Sequence, residues 1–155
     1  MNLIEVGIII SSVPVCCKRY SRSKEEQKQS TKEQEQQNIF RSAYISGILS
    51  FAEKLSSQVE YFEMKKKHIT FKKDHINGED IYAYLIMDKE KNFGKVFEKT
   101  IKPVLNEIIN EFKNKYGEMN SFADVSQFDE FKETLDEKVG VLTKSRFQAL
   151  KDKLF

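Results

Sequence analysis

Three kinds of hydrophobic pattern follow one another along the chain. Leu3–Ile10 is apolar at nearly every position, which is typical of a strand that is buried on both faces. Residues 81–88 repeat that pattern, whereas residues 59–65 alternate as a half-buried strand does. From 93 to 116 the apolar residues recur at helical spacing. Strands and amphipathic helices are therefore mixed, and we expect an α+β fold.

Three hairpins are expected within the sheet. Residues 15–20 read as a second strand after a break at "SSVP", where Pro14 suits a turn or the start of an edge strand. Residues 68–73 form a further strand, in a tight hairpin with the alternating strand before it. Asn77 and Gly78 then give a strong signal for a type I′ turn into the next strand.

Three helices and a tail complete the expected order. Residues 38–55 form the first helix. Asn92 is the expected N-cap of the second, which Pro103 should kink or divide. A shorter helix covers 128–139, and 141–155 form an amphipathic tail with a short C-terminal helix. The order ββ-α-βββ-α-α predicts a five-stranded, mainly antiparallel sheet with strands one and five in the centre, one helix on one face and two on the other.

The chain of 155 residues fits one domain, which we expect to span residues 1–140 before the tail. Residues 21–37 contain no apolar residue, so they should form a polar loop or a lead-in to the first helix. The net charge of +2 argues against a nucleic-acid partner. Adjacent Cys16 and Cys17 fit a reducing compartment, so a cytoplasmic location is expected, with peripheral membrane contact as an option.

The first helix carries more apolar surface than docking on a sheet needs. Its apolar residues cover an arc of roughly 180°, whereas a stripe of about 100° is enough to pack a helix on a core. Part of the arc should contact the sheet, through Ile45, Ile48, Leu49 and Ala52. The excess lies on the flank that would face the third strand, at Phe40, Tyr44, Phe51 and Leu55.

Patterns typical of catalysis are missing from the sequence. It contains no phosphate-binding P-loop, no dinucleotide-binding glycine pattern and no serine nucleophile elbow. His68 and His75 are the only histidines, lack the spacing of metal ligands and are expected at the surface. We therefore expect neither enzyme activity nor a metal or other cofactor.

Over about residues 3–140 the chain resembles the longin domain. The resemblance rests on the opening hairpin, on "SGILSFAEKL" followed by "VEYFEMKKKHITF", and on "IYAYLIMDKE" before a long amphipathic helix. These stretches are also similar to uncharacterised archaeal longin-like proteins. The related roadblock domain places a helix before its first hairpin, and profilin, PAS and GAF domains are further alternatives.

The resemblance implies a platform for other proteins. Longin-like domains mostly bind proteins, often small GTPases or vesicle-trafficking components, and many use a groove between the first helix and the third strand. By position that groove would be lined by Phe40, Tyr44, Phe51, Leu55, Tyr61 and Met64. The sequence after Gly140 is too short for a SNARE motif and shows no membrane anchor, so SNARE activity is not expected.

Five lysines lie on the hairpin of the third and fourth strands, at Lys65, Lys66, Lys67, Lys72 and Lys73. A basic patch there would suit an acidic partner or a weak contact with anionic lipid. Lysines on an exposed edge also discourage pairing between sheets, and we favour this second interpretation.

Two hypotheses compete with a protein-interaction module. The same apolar surface, or the edge of the third strand, would also serve a homodimer. A small molecule held between helix and sheet would instead make the chain a ligand sensor, as in PAS-like or roadblock-like domains.

Overall fold

The computed structural model describes residues 2–20, 43–45, 47–51, 54, 60–119, 121–122 and 124–142. Five strands form one open antiparallel sheet in the order β2-β1-β5-β4-β3. They are β1 (Leu3–Ile10), β2 (Val13–Arg19), β3 (Tyr61–Glu63), β4 (Lys67–Ile76) and β5 (Glu79–Asp88). The predicted α+β class is confirmed, and β1 and β5 lie inside the sheet as expected. The polar segment 21–37 and the tail from residue 143 onwards lie outside the described residues.

Helices cover both faces of this sheet. The first, α1, is described at residues 43–45, 47–51 and 54. The others are α2 (Phe93–Val96), α3 (Lys102–Tyr116) and α4 (Phe131–Val139), with 3₁₀ turns at Val125–Phe128 and Gly140–Leu142. The core continues to fully buried Leu142, two residues beyond the predicted domain boundary. None of the described helices has the length and apolarity that crossing a bilayer requires.

The helix around Pro103 departs from regular α-helical geometry just before the proline. A π-helical turn, Phe97–Ile101, joins α2 to α3, and Pro103 lies in the first turn of α3. Proline has no backbone N–H and crowds the carbonyl four residues before it, so it is tolerated at the start of a helix. The widened turn therefore lets one apolar stripe continue past the proline, with Phe97 and Ile101 both buried.

The face of the sheet that α3 and α4 cover, here the α3 face, holds the larger core. Phe112 is fully buried, with ring centroids 5.1–5.4 Å from those of Phe128 and Phe131. The opposite face, here the α1 face, holds a smaller cluster. In it Ile45 and Leu49 of α1 pack against side chains of the central strands: Ile4, Ile9, Ile69, Phe71, Tyr82, Tyr84 and Ile86.

The β1–β2 and β4–β5 turns use left-handed backbone at their two central residues. Asn77 and Gly78 have φ of 48° and 80°, so the predicted type I′ signal is confirmed. Ser11 and Ser12 adopt a similar conformation, with φ of 48° and 67°. The β1–β2 turn thus has Ser-Ser where such turns usually have Asn-Gly, although the Cβ of serine is penalised in left-handed backbone.

The two cysteines lie on opposite faces of β2. Cys16 belongs to the core of the α3 face, and Cys17 is exposed on the other side of the strand. Burial raises the pKa of the Cys16 thiol to about 11. The alternation of the strand thus gives two neighbouring thiols different surroundings.

Candidate interaction groove

A shallow groove of about 460 Å³ runs between α1 and β3 on the α1 face. From the helix it is lined by Tyr44, Gly47, Ile48 and Phe51, and from β3 and the residue after it by Phe62, Glu63 and Met64. The Tyr44 hydroxyl lies 4.0 Å from the Met64 sulfur and links the two walls. We call this feature the α1–β3 groove.

The width of the apolar arc on α1 explains the groove. Ile45 and Leu49 are buried against the sheet. Tyr44 and Phe51 lie on the adjoining strip of the helix and remain 51% and 58% exposed. A helix that only docked on the sheet would carry polar residues on that strip. The described part of α1 thus presents apolar side chains to the core and to the groove.

The structure brings together three of the six predicted lining residues: Tyr44, Phe51 and Met64. Phe40 and Leu55 lie outside the described residues. The prediction for Tyr61 is wrong, because its ring lies on the α3 face, with its centroid 5.0 Å from those of Phe93 and Phe97.

Phe62 takes the place predicted for Tyr61, and the sequence contained the signal for it. Neighbouring side chains of a strand point to opposite faces, so Tyr61 and Met64 cannot both line one side of β3. Phe62 pairs with Ile69 across the strands and belongs to the cluster of the α1 face. Strict alternation from Met64 therefore identifies Phe62.

The five hairpin lysines do not form one patch. Lys65 and Lys66 are exposed in the β3–β4 turn, directly after Met64, and Lys67 begins β4. Lys72 and Lys73 lie further along β4, past its pairing with β3, and their side chains leave opposite faces. The Lys73 ammonium group lies 3.8 Å from the Asp80 carboxylate. Only the turn lysines therefore adjoin the groove.

A buried polar cluster, which the sequence reading missed, lies under the α1 face. Glu5 is only 2% exposed, and its carboxylate accepts a 2.6 Å hydrogen bond from the Tyr84 hydroxyl. The Arg19 guanidinium nitrogen Nε lies 3.6 Å from the same carboxylate. The Tyr84 ring reaches Glu5 by crossing Gly7, where an added Cβ would lie 2.6 Å from the hydroxyl. A charged residue within an otherwise apolar strand was the available signal.

His68 was predicted at the surface, and this prediction is wrong. The residue is 2% exposed, and its ring stacks on Phe93 with centroids 3.7 Å apart. Burial lowers the pKa of the imidazole, although the Glu63 carboxylate at 4.0 Å opposes the shift. His75 is exposed as expected, with Nδ1 3.0 Å from the Asp80 carboxylate.

Within the described ranges, no three His, Cys, Asp or Glu side chains come close enough to hold a metal ion. No protein-family model and no curated protein matches this sequence. The α1–β3 groove is thus the candidate site that the fold presents.

Proposed function

We propose that this chain is a protein-interaction module that binds a partner protein in the α1–β3 groove. The observation that carries the proposal is the exposure of Tyr44 and Phe51 on a helix that buries Ile45 and Leu49 against the sheet. Adjacent apolar side chains that stay exposed on a folded chain commonly mark sites where other proteins dock. Aromatic side chains are also enriched among the residues that contribute most to binding.

The fold supports a longin-like assignment within this proposal. β3 forms one edge of the sheet, α1 packs on one face, and α3 and α4 pack on the other. The longin resemblance implies this arrangement, with a groove between the first helix and the third strand. We propose a small GTPase or a trafficking-type subunit as the partner on that basis.

The shape of the groove makes a small-molecule sensor the weaker alternative. Small-molecule sites typically bury roughly 70% or more of the surface of a drug-sized ligand. Here two of the wall side chains, Tyr44 and Phe51, are about half exposed, so a small molecule would be covered on one side only. A chain segment of a protein partner, in contrast, covers such a surface from outside.

Two double variants of the full chain test the proposal. Tyr44→Asp with Phe51→Asp places charge in the groove, and Val13→Asp with Val125→Asp makes the same change at exposed apolar positions elsewhere. Each immobilised protein is incubated with lysate of the native organism, and bound proteins are quantified by mass spectrometry. Circular dichroism and urea unfolding verify that each variant folds.

We expect the groove variant to lose bound partners at least about tenfold, as for the loss of central aromatic contacts. The control variant should bind like the wild type. Equal recovery by the wild type and the groove variant would contradict the proposal. Sedimentation velocity adds the homodimer test: a wild-type dimer that becomes monomeric in the groove variant would make the partner a second copy.

A further inference from the structure

We infer that the α1–β3 groove receives an apolar segment of a different protein, and that acidic residues flank this segment. This inference rests on the proposed function and specifies the chemistry of the partner. Tyr44, Phe51 and Phe62 make the centre of the groove apolar and aromatic. A partner therefore needs apolar side chains at the centre of its contact and polar ones around it.

Three exposed lysines lie close in the chain to lining residues of the groove, and we call them its basic rim. Lys54 is exposed one helical turn after Phe51, and Lys65 and Lys66 are exposed beyond Met64 at the other end. Glu63 also borders the groove, but its carboxylate extends from the α3 face of β3, 4.0 Å from His68, and the Lys89 ammonium group neutralises it there at 2.9 Å, which lowers the pKa of the carboxyl group. Acidic side chains on either side of a bound segment would therefore meet complementary charge.

Segments of this chain itself are poor candidates for the groove. Residues 21–37 contain no apolar side chain that could enter it. The tail from residue 143 has apolar residues, but it carries four basic residues and a single acidic one. Its charge repeats that of the rim, so electrostatic repulsion disfavours it.

A second copy is disfavoured for the same reason. A two-fold symmetric contact joins the same patch on both subunits. Lys54, Lys65 and Lys66 of one copy would then surround the same lysines of the other, and like charges facing each other cost binding energy. The groove is also concave, whereas apolar residues that enter a bilayer stand on a convex amphipathic surface. A protein segment fits this concave shape better than a membrane does.

Two labelled peptides test the inference with the full chain. Both carry the same amphipathic helical core with Leu and Phe on one face, and they differ only in flanking glutamates or flanking lysines. Fluorescence polarisation measures their affinities at low and at high salt. We expect the glutamate-flanked peptide to bind about five- to tenfold tighter at low salt, because each exposed charge pair contributes modestly. High salt should reduce this ratio.

Charge-reversal variants show which lysines cause the preference for the glutamate-flanked peptide. Lys65→Glu with Lys66→Glu should abolish or invert the ratio of the two affinities. Lys95→Glu with Lys99→Glu makes the same charge change at exposed positions on α2 and the π turn, away from the groove, and should leave the ratio as in the wild type. Equal ratios in both variants would contradict the role of the turn lysines.

The outcomes separate this inference from the proposed function. Equal binding of both peptides, weakened by Tyr44→Asp with Phe51→Asp, would overturn the acidic flank and leave the groove as a docking site. Peptide binding that this groove variant does not change would overturn the groove itself. Absence of peptide binding, together with lysine-dependent binding of phosphatidylserine vesicles, would replace the protein partner by a membrane. Absence of both would also overturn the inference, and the lysate experiment would then decide the proposed function.

Discussion

On the α3 face of the sheet, Phe112, Phe128 and Phe131 are fully buried and their rings contact one another, whereas on the α1 face Tyr44 and Phe51 are about half exposed. Both faces belong to the same five strands. The α3 face therefore provides most of the buried apolar surface that stabilises the fold. On the α1 face, some apolar residues of α1 pack in the core and others line the groove. The exposed residues in the groove remain available to bind a partner.

The largest expected contrast between the faces comes from truncating one phenylalanine on each. Phe112→Ala should lower the free energy of unfolding by about 3–5 kcal/mol, because it leaves a cavity in a fully packed core. Phe51→Ala should change it by less than about 0.5 kcal/mol, because the side chain is mostly exposed. Urea unfolding of both variants measures the difference. Similar losses would show that the α1 face is packed as closely as the α3 face.

Replacing either of two glycines on the α1 side by alanine should change the stability of the protein in opposite directions. Gly7→Ala forces a methyl group against the Tyr84 ring and should destabilise the protein by about 1–3 kcal/mol. Gly47→Ala lies on helical α1 with no neighbour within 4 Å and should stabilise it by about 0.5–1 kcal/mol. Thermal unfolding of the pair checks this. A stable Gly7→Ala protein would mean that the Tyr84 ring can move aside.

The buried hydrogen bonds on the two faces of the sheet can be compared by removing one hydroxyl group from each face. Tyr84→Phe takes a donor from the buried Glu5 carboxylate and should cost about 1–2 kcal/mol. Thr70→Val on the α3 face removes a 3.1 Å hydrogen bond to the Leu85 carbonyl, keeps the shape and should cost less than about 1 kcal/mol. Urea unfolding at neutral pH measures both. A larger loss for Thr70→Val would reverse the expected order of the faces.

The smallest expected effect is a dependence of stability on pH. Burial lowers the pKa of His68 in the folded state, so below about pH 6.5 the unfolded chain binds more protons at this residue. The contribution of His68 is therefore complete above that pH and declines as the pH falls towards its folded pKa. Urea midpoints between about pH 7.5 and 5.5 should fall on acidification. His68→Phe should flatten this slope, and an unchanged slope in that variant would assign it to another group.

Most of the sheet was predictable because its central strands are buried on both faces. Leu3–Ile10 was predicted with its observed bounds, since an uninterrupted apolar run needs no knowledge of its neighbours. β4 and β5 each extend to the Asn77-Gly78 turn, beyond the predicted 68–73 and 81–88. Near the turn His75 pairs with Asp80, and Ile76 pairs with Glu79, so polar residues interrupt the apolar pattern there.

The candidate site was only partly predictable. The width of the apolar arc on α1 identified Tyr44 and Phe51, because helical periodicity is a local property of the sequence. His68 could not be recognised as buried, because the ring that covers it, Phe93, comes from a helix 25 positions later. Its burial depends on tertiary packing, which no local pattern records. The error at Tyr61, in contrast, came from neglecting the alternation of β3.

The opposite orientations of Cys16 and Cys17 make this chain suitable for labelling at one site. The Cys16 thiol is buried and its pKa is raised to about 11, so little reactive thiolate forms there at neutral pH. Cys17 is exposed on the α1 face of the edge strand β2, whereas the groove lies at the β3 edge of the same face. A maleimide dye should therefore attach once, without a cysteine substitution, and report on the groove side of the sheet without touching the groove lining.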